Sequence, residues 1–443
     1  MIPASLTAHA PRNGLPTLVG KTLGHYEILE PLGAGGRPRL LNVFAGILIL
    51  LAVPLSQRDA QPSLAEFGLS VAATPGRIFV AANLRQGDER GPGTVHVFER
   101  RGSGWVETSV LSVPEVTVED LFAVSMAADG DTLVVGAEFA DAHGEDAGLA
   151  YVFERDEGEW RRVVLSASDA EPGDQFGQTV SISGNNIVVG SRLEDTGGRD
   201  SGAAYVFERS DSGWVEVAKL MASDPKRQDL FGRASISGNH MVVSADLNDD
   251  LGSAAGKAYA FELRAGAWVE VGELLASDGV EGDELGISLA LQSGTSVFGA
   301  LGSDINGRES GAAYVFERGD VAWSQTKRLA PSDPASQQRF GTAVAVDEDT
   351  IAVGAPGDPF DGDASGATYI FERREGSWIE TRKLTASDAA LGTGFGGTVA
   401  VSGGTVVVGG LFAGEEGRRG SAYVFERRGT AWVEVARLQP AGR

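Results

Sequence analysis

The sequence contains no cysteine among its 443 residues, and it has only five histidines. The lack of cysteine excludes disulfide crosslinks, thiolate zinc sites and lipid anchoring through a thiol. Basic residues are also in deficit, because 37 Lys and Arg stand against 61 Asp and Glu for a formal net charge of -24. Such a charge repels phosphate backbones and anionic membrane surfaces. We therefore expect no nucleic acid among the partners of this protein.

Helical periodicity is also absent, since no segment after residue 64 shows a sustained 3.6-residue apolar repeat. In its place, a segment like Tyr205-Val206-Phe207-Glu208-Arg209 recurs, each time followed by a tryptophan. The seven tryptophans lie 54 or 55 residues apart, at Trp105, Trp160, Trp214, Trp268, Trp323, Trp378 and Trp432. One structural unit has therefore been repeated seven times.

Each repeat predicts four short strands. In the third copy these are residues 176–183, 186–190, 203–208 and 214–218, which are rich in β-branched residues and separated by Gly, Asn, Ser and Asp turns. Four strands per repeat make one blade, so the predicted fold is all-β, a seven-bladed β-propeller of four-stranded antiparallel blades. The last copy contains all four of its own strands, and we expect the ring to close without strand exchange.

The strand compositions fit a blade from its inner to its outer edge. The first strand is rich in small residues, as an innermost strand converging on a channel requires. The second and third strands are apolar on both faces, as expected for blades packed between two neighbours. The tryptophans lie on the outermost strand, and aromatic residues that recur in register are usually core rather than ligand-binding.

The repeats resemble the FG-GAP repeat family, as in the seven-bladed head of integrin α-subunits and in bacterial FG-GAP repeat proteins. Phe-Gly pairs stand at 67–68, 176–177, 231–232, 340–341 and 395–396, and Gly354-Ala355-Pro356 is the clearest Gly-Ala-Pro element. Leu-x-Ala-Ser-Asp segments, typical of the bacterial proteins, occur at 165–169, 220–224 and 384–388. The resemblance covers residues 64–443.

The resemblance implies extracellular recognition of protein or carbohydrate. It also implies calcium sites between the first and second strands of some blades, but here those connections are tight turns such as Ser183-Gly184-Asn185. Such turns are too short to supply the six or more oxygens that calcium takes. We therefore predict no metal site and no cofactor. The remaining place for calcium is the loop with Asp358, Asp361 and Asp363, for which ordinary turn chemistry is the alternative.

The first 60 residues do not share the repeat. Residues 19–36 resemble the opening strand and glycine-rich loop of bacterial serine/threonine kinases, but the catalytic motifs of that family do not follow. We expect residues 1–36 to be an unstructured leader without kinase activity. Residues 37–60 contain an apolar run from Leu40 to Leu55 after Arg37 and Arg39, which indicates an export signal or a retained single membrane anchor.

These observations predict that residues 61–443 form an exported recognition or adhesion module, secreted or anchored at the cell surface and monomeric. Strand direction places the long loops on one face, and long loops on a rigid scaffold commonly bind partners. We expect that face to be acidic and to bind an extracellular protein or glycan. The opposite face, with the arginines of the hairpins, is expected to be more basic. The candidate ligand residues are Asp195, Asp249, Asp304, Asp358, Asp361 and Asp363.

No catalytic set can be assembled from the sequence, and we predict that the protein is not an enzyme. The alternatives are a propeller-based carbohydrate-active enzyme, either a glycosidase or a lyase, and a self-associating structural surface protein. A carboxylate pair suited to glycoside cleavage is invisible without coordinates, so the first alternative stays open here.

Overall fold

The computed structural model describes residues 22–23, 26–27, 65–86, 89–357, 365–388, 394–410 and 420–440. Within these ranges the regular structure is all strand, and no helix there is long and apolar enough to cross a membrane. The chain divides into two units, residues 1–44 and 45–443. In the first unit the described strands are β1 Thr22–Leu23 and β2 Tyr26–Glu27, which pair antiparallel. The rest of residues 1–60 lies outside the described residues, so the expectations for the leader and the apolar run stay predictions.

The second unit contains seven four-stranded antiparallel sheets, and the strands of each sheet are consecutive in the chain. Blade 1 has β3 Ala65–Thr74, β4 Arg77–Gln86, β5 Glu89–Arg101 and β6 Gly104–Leu111; blade 2 has β7 Met126–Asp129, β8 Thr132–Ala137, β9 Leu149–Asp156 and β10 Glu159–Leu165. Blade 3 has β11 Phe176–Ser183, β12 Asn186–Ser191, β13 Ala203–Ser210 and β14 Gly213–Leu220; blade 4 has β15 Arg233–Ser237, β16 His240–Ala245, β17 Lys257–Arg264 and β18 Ala267–Leu274.

The remaining blades follow the same order. Blade 5 has β19 Ser288–Gln292, β20 Thr295–Ala300, β21 Ala312–Arg318 and β22 Trp323–Leu329; blade 6 has β23 Ala343–Asp347, β24 Thr350–Ala355, β25 Ala367–Arg374 and β26 Ser377–Leu384. Blade 7 has β27 Thr398–Ser402, β28 Thr405–Gly410, β29 Ser421–Arg428 and β30 Ala431–Leu438. The predicted seven-bladed propeller is therefore confirmed.

The blades form a closed ring around their first strands. Each first strand packs against the first strand of the next blade, and β27 of blade 7 packs against β3 of blade 1. An apolar cluster shared by these two blades contains Phe67, Ile78 and Phe98 together with Val407 and Val424. All seven sheets are local in sequence, so closure without strand exchange is also confirmed.

The apolar core lies between neighbouring blades. One cluster joins Val134 and Val152 of blade 2 to Phe176, Val189 and Tyr205 of blade 3. Within blade 3 the ring of Phe176, from the Phe-Gly pair, meets the ring of Tyr205 edge-on at a centroid distance of 5.5 Å. Edge-to-face pairs of this kind add to the stabilisation from burial.

The innermost strands are joined by hydroxyl groups as well as by close packing. The backbone N–H of Val180 donates to Ser125 Oγ of the preceding blade at 3.0 Å, and the backbone N–H of Ile236 donates to Ser181 Oγ at 3.1 Å. The small residues expected there for packing thus also satisfy backbone donors that would otherwise be buried and unpaired.

The Leu-x-Ala-Ser-Asp segment and its close variants link blades 2, 3, 5 and 6 to the blade that follows. The backbone N–H and the hydroxyl of Ser168 donate to the two carboxylate oxygens of Glu216 at 2.9 and 2.8 Å. Asp169 accepts from the Tyr205 hydroxyl at 2.8 Å and from Lys219 at 2.6 Å. The serine contacts recur at Ser223, Ser332 and Ser387, and the aspartate–tyrosine contacts recur at Asp224, Asp333 and Asp388. These glutamate and aspartate side chains therefore stabilise the contacts between blades.

Candidate functional site on the long-loop face

The antiparallel order of the strands gives the propeller two unlike faces. We call the side formed by the second-to-third connections and the links between blades the long-loop face. The opposite side, formed by the tight hairpins, is the hairpin face. On the long-loop face of blades 2 to 5 the second-to-third connection is bonded to the link that follows it, as when the backbone N–H groups of Gln175 and Phe176 donate to the carbonyls of Asp146 and Ala147 at 3.1 and 3.0 Å. These loops are therefore held in place by the scaffold.

The predicted ligand residues Asp195, Asp249 and Asp304 occupy equivalent places in the loops of blades 3, 4 and 5, and all three are exposed. In each, Oδ1 accepts the backbone N–H five residues later, at 2.6, 2.8 and 2.6 Å. Asp141 of blade 2 makes the same contact at 2.8 Å, and the sequence analysis did not select it. One carboxylate oxygen therefore shapes each loop while the side chain stays exposed. Asp358, Asp361 and Asp363 lie outside the described residues.

The arginines of the hairpin face bind glutamates of the neighbouring blade. Arg209 of blade 3 lies 2.8 Å from Glu154 of blade 2 and reaches Thr132 Oγ1 at 2.9 Å. The arginine of one blade and the glutamate of the preceding blade are paired in the same way at Arg100–Glu426, Arg155–Glu99, Arg318–Glu262, Arg373–Glu317 and Arg427–Glu372. The arginines that suggested a more basic hairpin face are therefore mostly paired with glutamates between blades, and the comparison of charge between the two faces stays a prediction.

Four tryptophans, Trp105, Trp160, Trp214 and Trp378, stack against an arginine of this ring of ion pairs. The indole N–H of Trp214 donates to Glu154 at 3.0 Å, and the guanidinium of Arg209 stacks over the Trp214 ring at 4.7 Å. Arg373 stacks over Trp378 in the same way at 4.8 Å. These contacts indicate a structural role for the repeated tryptophans, as predicted from the sequence.

One junction of the ring departs from this pattern. Between blades 3 and 4, Leu263 occupies the position that is arginine in the other blades, and Glu208 occupies the position of the partner glutamate. Glu208 is exposed, whereas the corresponding Glu372 and Glu426 are buried. Among the described residues Glu208 has no ion pair.

Charged side chains also cluster at the centre of the long-loop face, where first strands begin and second strands end. Glu138, Arg192 and Asp246 follow the second strands of blades 2, 3 and 4, and they are 2%, 6% and 1% exposed. Arg192 bonds to Asp246 and donates to Gln178 Oε1 at 3.2 Å. We call Glu138, Gln178, Arg192, Arg233, Asp246 and Glu284 the central cluster.

Several polar groups of the central cluster have no partner. Both carboxylate oxygens of Glu138 and the Oε2 atom of Glu284 are buried without a hydrogen bond among the described residues. The Gln178 amide lies beside Glu138 and favours its charged form, but no hydrogen bond of good geometry joins them. Arg233 Nε is likewise unbonded, and its ionic contact with Asp246 Oδ1 is long, at 3.7 Å.

Burial shifts the protonation equilibria of these groups. It raises the pKa of Glu138 to about 7, against the opposing influence of Gln178, Arg233 and Arg192. It also raises the pKa of Glu284 to about 7, with repulsion from Asp246 acting in the same direction. Burial and the nearby Arg192 lower the pKa of Arg233 to about 10. Perturbed groups of this kind, close together in space, are typical of functional sites.

The sequence contained a signal for the central cluster that the sequence analysis did not use. The position after Gly-Ala is Pro356 in blade 6 and Leu301 in blade 5, but it is charged at Glu138, Arg192 and Asp246. A charged residue at a position that is apolar in other repeats is not required by the fold. Which charges meet could not be read from the sequence, since their repeats lie about 54 residues apart.

The FG-GAP repeat profile matches the chain six times, at residues 105–153, 160–207, 214–261, 268–316, 323–371 and 378–425. Together these segments cover more than half of the chain. The chain belongs to the FG-GAP repeat family. Each match runs from the tryptophan of one blade to the third strand of the next, so the FG-GAP sequence unit is offset from the structural blade. The Leu-x-Ala-Ser-Asp segment therefore lies inside the unit.

No curated protein matches this FG-GAP protein, and solved structures resemble it at low sequence identity. A putative 6-phosphogluconolactonase from Bacteroides fragilis has a TM-score of 0.50 and 14% identity, over 87% of this chain and 96% of that chain. Sqt1 from Chaetomium thermophilum has a TM-score of 0.47 and 13% identity, over 87% of each chain. At this identity the likeness concerns the fold alone, and no activity follows from either name.

Proposed function

We propose that this FG-GAP propeller is an exported recognition module that binds an extracellular protein or carbohydrate partner through its long-loop face. The observation that carries this proposal is the difference between the two faces. On the hairpin face most glutamates and arginines are used between blades. On the long-loop face Asp195, Asp249 and Asp304 stay exposed on loops held by the scaffold.

The charge of this face selects the class of partner. An acidic surface attracts cationic groups or groups bridged by divalent ions, and salt screens that attraction. Binding through the long-loop face should therefore weaken as ionic strength rises. Asp358, Asp361 and Asp363 remain candidates to contribute to the same surface.

A binding array of extracellular proteins and glycans, followed by affinity measurements on the ligands found, tests the proposal. The informative variant is the triple change Asp195→Asn, Asp249→Asn and Asp304→Asn, because asparagine keeps the oxygen that accepts the loop N–H and removes the charge. We expect weaker binding and a smaller salt dependence. A matched variant with Arg101→Gln and Arg428→Gln, both exposed on the hairpin face, should bind normally. The reverse pattern would place the site on the hairpin face.

Export is supported by the apolar run from Leu40 to Leu55 and the arginines before it. Fractionation of cells that express the full chain, with N-terminal sequencing of the recovered protein, tests it. A new N-terminus near residues 56–61 in the external fraction would indicate cleavage, and an intact chain in the membrane fraction would indicate an anchor. Recovery of the intact chain from the cytoplasm alone would contradict export.

A further inference from the structure

The junction between blades 1 and 2 on the hairpin face contains an arginine that the other blades lack at the same position. The first residue of the second strand is threonine in blades 2, 5, 6 and 7. The hydroxyl of Thr132 accepts from Arg209 of the next blade at 2.9 Å. The same contact joins Thr295 to Arg373 at 3.3 Å. Blade 1 has Arg77 at this position, so a second guanidinium group lies where blades 2 and 5 offer an acceptor.

Three guanidinium groups surround one carboxylate at this junction. Arg155 bonds to Glu99, as the equivalent arginines bond to glutamates between other blades. Arg77 and Arg101 also lie 3.7 and 4.0 Å from carboxylate oxygens of Glu99. Arg77 and Arg155 both lie over the Trp160 ring, at 5.6 and 5.9 Å from its centroid. One glutamate cannot compensate the charge of three arginines, and like charges this close together repel each other.

The other acid near Arg77 compensates little of this excess. Arg77 donates to Asp131 Oδ1 at 2.9 Å and to the carbonyl oxygen of Gly130 at 3.1 Å. The Asp131 side chain is 67% exposed, and an ion pair with an exposed carboxylate contributes little because water and salt screen it. The junction therefore has a local excess of positive charge in a protein whose formal net charge is -24.

These guanidinium groups line a recess that opens to solvent between the hairpin turns of blades 1 and 2. Its volume is about 510 Å³, and volumes of about 300–1,000 Å³ are typical of small-ligand sites. The charged side chains that line it are Arg77, Arg100, Arg155, Glu99 and Asp131. The side chains of Arg77 and Arg155 are 14% and 23% exposed. A small ion therefore has both room in the recess and access to these two arginines.

The donors of the recess favour a tetrahedral oxyanion. A guanidinium group only donates hydrogen bonds, and it binds phosphate or carboxylate oxygens through two parallel bonds. The four oxygens of phosphate or sulfate point in different directions, so they can accept from Arg77 and Arg155 together. A planar carboxylate presents its two oxygens to one of these arginines at a time. A cation would be repelled by the guanidinium groups that line the recess.

We propose that the recess between blades 1 and 2 binds a phosphate or sulfate group through the guanidinium groups of Arg77 and Arg155. Arg100 lines the same recess, but it is already paired with Glu426 and is not counted among the ligands. A free ion and an ester on a larger molecule present the same oxygens. The site lies on the hairpin face, so it goes beyond the recognition function proposed for the long-loop face.

Calorimetry on the full-length protein tests this site with sodium phosphate, sodium sulfate and methyl phosphate, at an ionic strength held constant with sodium chloride. We expect saturable binding of one phosphate or sulfate per chain. Arg77→Thr should weaken this binding by about tenfold or more, because hydrogen bonds between charged groups are the strong ones. Arg428→Gln is the matched control, since Arg428 is exposed on the same face and lies outside the recess. Its affinity should equal that of the unchanged protein.

Methyl phosphate distinguishes the two sources of the group. Binding as tight as that of inorganic phosphate would indicate an ester on a larger molecule, because one oxygen is then free to carry the rest of that molecule. Much weaker binding than that of inorganic phosphate would indicate the free ion. Either result supports the recess as an oxyanion site.

Two further measurements separate binding from a structural role of Arg77. Arg77→Thr introduces the residue that four other blades have here, so its melting temperature without phosphate should not fall. Asp131→Asn keeps the oxygen that accepts from Arg77 and removes a charge that repels an anion, so this variant should bind phosphate several-fold more tightly. A lower melting temperature of Arg77→Thr together with an unchanged affinity of Asp131→Asn would assign Arg77 to the fold and overturn the proposal.

The proposal would also be overturned if neither phosphate nor sulfate bound, or if Arg77→Thr bound them as the unchanged protein does. The recognition function of the long-loop face would survive these results. Its ligands should bind Arg77→Thr normally, because their binding depends on Asp195, Asp249 and Asp304 on the opposite face.

Discussion

At the scale of single residues, many charged side chains of the propeller are paired with a group of an adjacent blade. Asp169 takes a hydroxyl and an ammonium donor from blade 3, and Arg209 takes a glutamate from blade 2. Glu138 and Glu208 are the instructive exceptions, one buried and one exposed. Removing the charge of Glu138 should change stability by relieving the cost of burying that charge. Pairing the charge of Glu208 should change stability by forming an ion pair.

Glu138 should give the protein a pH-dependent stability that Glu138→Gln lacks. Its pKa in the folded protein is about 7, above the ordinary value of 4.5. The folded state therefore keeps a proton that the unfolded state has lost, and stability falls as pH rises between these values. One pKa unit corresponds to about 1.4 kcal/mol. We thus expect the variant to exceed the unchanged protein by less than about 1 kcal/mol at pH 5 and by roughly 3 kcal/mol at pH 8.

Urea unfolding of both proteins at the two pH values measures this difference. Glu284, whose pKa burial also raises, is present in both proteins, and its contribution largely cancels in the comparison. An equal loss of stability in both proteins between pH 5 and pH 8 would contradict the assignment.

Leu263→Arg should complete the ring of ion pairs on the hairpin face. The equivalent arginines of six other blades reach the glutamate of the preceding blade, so an arginine at position 263 should reach Glu208. An exposed pair of this kind contributes about 0.2–1 kcal/mol. Denaturant unfolding should show a gain over Leu263→Gln, which has a polar, uncharged and shorter side chain. The gain should vanish at high salt and in a Glu208→Gln background; a gain that persisted in both would point to a cause other than the ion pair.

Sequence reasoning at the residue scale succeeded where a role repeats and failed where it occurs once. The seven tryptophans recur in register, which indicates a structural role, and Trp214 has that role. The exposed positions of Asp195, Asp249 and Asp304 were predictable from strand direction and turn chemistry. The proximity of Glu138 to Arg233 was not predictable, because it depends on side chains from separate blades that converge near the axis.

At the scale of strands and their connections, the two motifs of the family meet at one close contact between blades. A Cβ atom added to Gly354 would lie 1.9 Å from the carbonyl oxygen of Gly396, and one added to Gly299 would lie 1.9 Å from that of Gly341. The glycine of Gly-Ala-Pro therefore touches the glycine of the next Phe-Gly pair. Ser244 replaces the first glycine in blade 4, and its hydroxyl donates to the Gly286 carbonyl at 2.7 Å.

Gly354→Ala should destabilise the propeller, because its methyl group would meet backbone that a flexible side chain could not relieve. Overpacking typically costs 1–3 kcal/mol, so we expect a loss of about that size or more. Gly272→Ala is the control, since Gly272 lies in β18 with no atom within 4 Å of the added Cβ. Thermal unfolding should show a marked loss for the first change and little effect for the second. Equal effects would mean that close approach does not explain the motif.

Strand positions were predictable to within about two residues, for a physical reason. Residues 186–190 were predicted as a strand and form Asn186–Ser191, and residues 214–218 were predicted and form Gly213–Leu220. The apolar pattern locates the buried centre of each strand. The ends of each strand are fixed by backbone pairs such as Ser210 with Gly213. The hydrophobic pattern of the sequence does not show where these pairs end.

At the scale of the whole molecule, the described residues close the ring through side chains and packing. Blade 7 meets blade 1 through a shared apolar cluster, through Arg100 and Glu426, and through the hydroxyl of Thr398, which donates to the Gly68 carbonyl at 3.1 Å. Since no strand among the described residues crosses this junction, the ring depends on blade 7 being complete. The outermost strand of that blade is the most direct place to test closure.

Deletion of residues 431–443 removes β30 from the closing blade. Trp432 and Leu438, each 4% exposed, would be lost from the core, and the edge of β29 would be open to pairing with another chain. Exposed strand edges promote aggregation, so we expect a lower melting temperature and soluble aggregates in light scattering coupled to size-exclusion chromatography. Deletion of residues 441–443 alone, which spares β30, is the control and should behave as the full chain. If the longer deletion were also monomeric with an unchanged melting temperature, blade 7 would not need its fourth strand, and closure would rest on the inner strands β27 and β3 alone.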